Sequence, residues 1–124
     1  MPITILVVDD EEIVHKLIRV ALMGFGDIVF LVAKNGAEGL KIAREHYGHI
    51  DLLISVVMPG RMNGAEMAAQ LSQSRPEMKV ALMSGYPPEA LTMKPGWHFI
   101  QKPFPALEIR ERVGSILSDH SVAA

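Results

Sequence analysis

The 124-residue sequence contains no cysteine. That absence removes disulfide staples, thiolate metal sites and cysteine nucleophiles together, and it is compatible with a reducing, cytoplasmic setting. Long apolar runs are also missing: nothing approaches the roughly 18 residues at which a spanning helix becomes plausible. The opening MPITILVVDDEE is apolar for only a few residues and has no basic leader, so neither a signal peptide nor a membrane span is expected. Charge of one sign is not in excess. Twelve Lys and Arg stand against fourteen Asp and Glu, a formal net charge of −2, and no basic run offers a footprint for direct nucleic-acid binding. No glycine-rich GxGxxG or GxxxxGK loop occurs, which weighs against a small α/β enzyme or nucleotide binder.

What is present suits one globular domain spanning 1–124, with 49% hydrophobic and 21% charged residues. Apolar runs bounded by turn residues predict strands at Ile3–Val8, Ile28–Val32, Leu52–Val57, Val80–Met83 and Phe99–Ile100. The first and third are apolar at consecutive positions, as in strands covered on both faces of a parallel sheet. Helical spacing links Ile13, Leu17, Ile18 and Ala21; Ala37, Leu40 and Ala43; Gly64, Met67, Ala68 and Leu71; and Ile109, Val113, Ile116 and Leu117. Asn35 and Asn63 each stand three residues before an acid, a capping signature, and Pro105 suits the first turn of the last helix. Prolines 87, 88 and 95 leave room for at most a short or irregular helix between Pro88 and Met93. The alternation implies an α/β doubly wound, five-stranded parallel sheet with strand order 2-1-3-4-5.

Ligands of such sheets bind at the carboxyl ends of the strands. Strand one ends in Asp9, Asp10, Glu11 and Glu12. Taken alone, these acids could simply favour a helix N-terminus. Strand three, however, ends in Ser55, strand four in Ser84 and Gly85, and strand five is followed by Lys102 and Pro103, so acids, hydroxyls and a lysine converge on one crevice. The motifs ILVVDDEE, VVMPGRMNGAEM, LMSGY and FIQKPF resemble, in order and near-spacing, those of bacterial two-component response-regulator receiver domains, and SGY with QKPF is similar to receivers attached to hybrid sensor kinases. The resemblance covers nearly the whole chain. It implies a flavodoxin-like (CheY-like) three-layer sandwich and a role in phosphorelay signal transduction. It also implies that Asp10 is a direct Mg²⁺ ligand and Asp9 its outer-shell partner, with Ser84 the switch hydroxyl, Phe99 the switch aromatic and Lys102 the phosphate-contacting lysine. The Lys102–Pro103 bond is one that is cis in that family.

The resemblance fails at one position. The family's acceptor aspartate lies four residues before the proline of its MP pair, and counting back from Pro59 gives Ser55. Counting eight back from Gly64 gives Val56, so neither register supplies a carboxylate. Asp51 lies four residues earlier, about 13 Å down the strand, and cannot substitute. The missing aspartate would serve as nucleophile and as an anionic ligand for Mg²⁺, and serine provides neither unless a base activates it. No histidine falls in the four motifs; His15, His46, His49, His98 and His120 read as surface or loop residues. The expectation is therefore a degenerate receiver. It is not an enzyme, binds Mg²⁺ weakly if at all, and docks a sensor histidine kinase or another signalling protein without being phosphorylated, a homodimer being compatible. The alternatives are a phosphoacceptor using Ser55 or an unrecognised acid, and the small enzyme already weighed. Without the third carboxylate, Lys102 is expected to pair with Asp9 or Asp10 or to donate to Ser55. The methionines at 58, 62, 67, 78, 83 and 93 read mostly as packing, and Trp97 as either a contact surface or a buried structural residue.

Overall fold

The computed structural model describes residues 2–56, 63–91 and 93–118, so the expectations placed on Val57, Met58, Pro59, Met62 and His120 lie outside the described residues, as do those placed on the Asn63 side chain and on the packing of Gly64. In chain order the elements are β1 (Ile3–Val8), α1 (Glu12–Ala21), β2 (Ile28–Ala33), α2 (Gly36–Glu45), β3 (Leu52–Val56), α3 (Asn63–Ser74), β4 (Lys79–Ser84), a 3-10 turn (Pro88–Ala90), β5 (His98–Gln101) and α4 (Ala106–Leu117). All strand pairings are parallel, and the order is β2-β1-β3-β4-β5.

The consecutive apolar residues of β1 and β3 serve two cores. Ile5, Val7, Leu52 and Ile54 join α1 and α4 on one face, while Leu6, Val8 and Leu53 join α2 and α3 on the other. Burial on both faces is what makes these strands read as unbroken apolar runs. Met67, Met78 and Met83 are buried, and Met93 and Trp97 pack against the α2–α3 core. These four methionines are therefore packing residues, as expected, and Trp97 packs half-buried against the same core. Asp51 accepts from the Thr4 backbone N–H at 2.8 Å, which pins the start of β3 to β1 at the edge opposite Ser55.

Several boundaries and faces differ from expectation. Strand β5 runs from His98 to Gln101, because pairing with Ala81 through Ser84 recruits polar residues that hydropathy does not mark. On α1, Ile13 and Leu17 are 56% and 41% exposed, and Val14 takes their place beside Ile18 and Ala21. This helix carries two apolar stripes one residue out of phase, and periodicity alone cannot choose which faces the sheet. On α2 the buried residues are Gly36, Gly39 and Ala43, with Ala37 exposed and Leu40 half-buried. That helix lies so close to β1 that a Cβ at Gly39 would stand 3.1 Å from Val8 Cγ2, so small residues form its contact. Pro105 is the N-cap of α4 and not a residue of its first turn. The short helix expected between Pro88 and Met93 is reduced to the single 3-10 turn at Pro88–Ala90, as its flanking prolines require. Asn35 caps α2 by accepting from Glu38 N at 2.9 Å, and Arg75 closes its other end by donating to the carbonyls of Ala43, His46 and Gly48.

Candidate functional site

Sheet pairing ends at Val8 on β1, so the next residues leave the sheet at its carboxyl edge. Asp9 is fully buried and Asp10 is exposed. The buried carboxylate is well supplied with donors, as a charge withdrawn from water must be. Its Oδ1 accepts from the Glu11 backbone N–H at 2.9 Å and its Oδ2 from Lys102 Nζ at 3.0 Å. Glu11 Oε1 accepts from the same ammonium at 3.1 Å. Lys102 therefore bridges two acids: Asp9, one of the partners anticipated, and Glu11, which the sequence reading had not proposed as a partner. Burial by itself would lower the lysine pKa, but the hydrogen bonds and charges of Asp9 and Glu11 outweigh it and raise the value above the usual 10.5.

The lysine backbone is fixed as firmly. Its N–H donates to Ser84 O at 2.8 Å, and the bond to Pro103 is cis, as the motif implied. Ser84 Oγ accepts from Tyr86 N at 3.1 Å, folding the chain back after β4. Gln101 Nε2 lies within 3.4 Å of the carbonyls of Ser84, Gly85 and Lys102 and ties the two loops together. Phe99 stands three residues before Lys102, opposite Leu82, half-buried, and its carbonyl accepts from Arg112 Nη2 at 2.7 Å.

Ser55 is fully buried and pairs with Val8 and Leu82, whose side chains belong to the α2–α3 core. Val56 pairs with Met83, which belongs to the α1–α4 core, so the two register choices put residue 55 and residue 56 on opposite faces. Sequence reasoning assigned no role to Glu11, Gln101 or His15. Glu11 was visible only as one of four consecutive acids, and Gln101 only as part of QKPF. Nothing marked His15, yet its Nε2 lies 2.7 Å from Asp9 O, with the tautomer making it the donor.

The carboxylate oxygens of Asp9, Asp10 and Glu11 lie within 4.8 Å of one another. Such hard oxygen donors fit Mg²⁺, which prefers one or two carboxylates and keeps several waters. Asp9, Asp10 and Glu11 would hold the ion, and it would supply neutralising charge at the crevice. Two of these acids are also held by Lys102.

The comparisons agree with this fold. The chain is 30% identical to the sensor kinase CckA of Brucella abortus over 118 residues, which is 92% of this chain and 12% of that protein. It superposes on the crystal structure of the receiver domain from hybrid histidine kinase CckA with a TM-score of 0.75 and 34% identity, covering 93% of this chain and 99% of that one. The response regulator TrrA of Thermotoga maritima, solved in complex with Mg²⁺ and a beryllium fluoride, matches at a TM-score of 0.70 with 29% identity, over 92% of this chain and 98% of that one. The chain spans between 9% and 50% of the length of curated relatives such as CckA. Among the described residues, no helix is long and apolar enough to cross a membrane. The family described as the response regulator receiver domain matches residues 5–114, and the chain belongs to that family.

Proposed function

We propose that this receiver, taken as a single unit over 1–124, is a protein-interaction module whose output does not depend on phosphorylation. It docks a sensor histidine kinase or another two-component signalling protein. The observation that carries the reading is Ser55, buried at the carboxyl end of β3 beside the crevice where Asp9, Lys102 and Ser84 meet. In this reading Ser55 holds the acceptor position, Asp9 and Asp10 are the metal acids, and Ser84, Phe99 and Lys102 are the phosphate-contact and switch residues.

Chemistry supports it. A serine hydroxyl becomes a nucleophile only beside a base, and His15 is engaged through Nε2 with the Asp9 carbonyl. A serine also removes one anionic ligand from the metal site. The test is titration with Mg²⁺ and beryllium fluoride, which mimics a phosphoryl group on aspartate, followed by NMR of the Gly85, Tyr86 and Lys102 amides. The native chain should show no saturable shift and Ser55→Asp should show one. A saturable shift in the native chain would refute the reading.

A further inference from the structure

Glu11 occupies the N-cap of α1 with φ −96° and ψ 114°, yet its side chain makes no capping hydrogen bond. An N-cap side chain ordinarily accepts from the free N–H groups of the first turn, so here a local stabilisation is forgone. The carboxylate instead reaches Lys102 Nζ at 3.1 Å, across 91 positions of sequence. The backbone N–H of Glu11 meanwhile holds Asp9 Oδ1 at 2.9 Å, and Asp9 Oδ2 takes the same ammonium at 3.0 Å. From the lysine the chain of contacts continues through Lys102 N to Ser84 O, and through the Gln101 amide to Gly85. The start of α1 and the loop after β4 are thus joined through one ammonium group.

We propose that Glu11 is a built-in anion that latches Lys102 into the crevice and holds the Ser84–Gly85 loop in one arrangement without a phosphoryl group. The inference rests on the phosphorylation-independent reading and names what fixes the conformation in that reading. A lysine ammonium has three donors and a compact charge, and Asp9 answers only part of it. With no acid at position 55, the second carboxylate comes from the N-cap of α1. Glu11 and Lys102 also line an open groove of about 490 Å³ together with Leu17, Gly85 and Phe104. The latch is the polar wall of that groove, so releasing it alters the surface a partner meets.

The test compares the native chain with Glu11→Gln, Lys102→Met and the double variant. It uses amide hydrogen exchange and the NMR signal of the Lys102 ammonium, which is visible only when the group is shielded from solvent exchange. Glu11→Gln should erase the ammonium signal and speed exchange at Tyr86 and Lys102 by up to about fivefold, the upper value for a partly exposed ion pair. The β1 amides of Leu6 and Val7 should be unchanged, which separates the local effect from general loosening. The double variant should exchange no faster than Lys102→Met alone, because the two residues act through one contact. An ammonium signal that survives Glu11→Gln, or additive effects in the double variant, would overturn the latch. Labelling of the native chain by acetyl phosphate would count against the phosphorylation reading alone, since the latch is decided by the coupling between Glu11 and Lys102.

Discussion

At the scale of single residues, the described site is a set of charges centred on Lys102, held by Asp9 and Glu11. Lys102 carries a raised pKa, with burial opposing and the Asp9 and Glu11 contacts prevailing. A group whose folded pKa lies above its unfolded value adds stability that is fully present below the unfolded value and lost as pH rises through the folded one. The stability difference between the native chain and Lys102→Met should therefore be flat from about pH 7 to about pH 10 and shrink above the ordinary lysine value of about 10.5. Urea unfolding across that range checks it, and a difference that shrinks towards acid pH would contradict the assignment. Leu53 is fully buried in the α2–α3 core. Leu53→Ala should cost about 2–5 kcal/mol by urea denaturation. That Asp9, Ser84 and Lys102 meet at the carboxyl edge was legible, because strand ends and motif order locate them. Glu11 was not, because an acid at a helix start has an ordinary local explanation that hides a contact 91 residues away.

The secondary elements show where pattern reading succeeds and where it needs the third dimension. Asn35, three residues ahead of Glu38, announced the start of α2, and the cap is formed by that side chain. Asn35→Ala should destabilise the protein by about 1 kcal/mol, measured as a shift in urea midpoint with an unchanged slope. Ile13 and Leu17 misled because α1 bears a second apolar stripe at the same spacing, and the choice between stripes is made by the sheet. That outer stripe leaves Ile13, Leu17 and Val20 exposed, next to the groove that Leu17 shares with Phe104. The prolines between β4 and β5 were decisive in the other direction, since they predicted a curtailed helix there and the chain forms only the turn at Pro88–Ala90. A full helix there would have joined β5 and α4 in building one face of the molecule. Losing the helix changes that face, so partner binding is expected to be weakened more by Leu17→Ala than by Leu91→Ala. Pull-down affinities against a cognate kinase would show the order.

For the whole molecule, the parallel order β2-β1-β3-β4-β5 was readable because alternating strands and helices admit few right-handed topologies, and because acids ending β1 mark it as a central strand. Strand ends were less readable, since pairing recruits polar residues such as His98 and Gln101. Function follows from what this common frame carries at its carboxyl edge. If Ser55 holds the acceptor position, as proposed, and with Lys102 already paired to Asp9 and Glu11, Mg²⁺ should bind in the millimolar range or weaker. Calorimetry giving a micromolar constant would contradict this. The most direct test of the central claim is intact-mass measurement after treatment with acetyl phosphate, with and without Mg²⁺, on the native chain, Ser55→Asp and Val56→Asp. The account predicts a phosphoryl mass increment on Ser55→Asp alone and only with Mg²⁺. An increment on Val56→Asp instead would move the acceptor position by one residue, and an increment on the native chain would contradict the claim that this receiver works without phosphorylation.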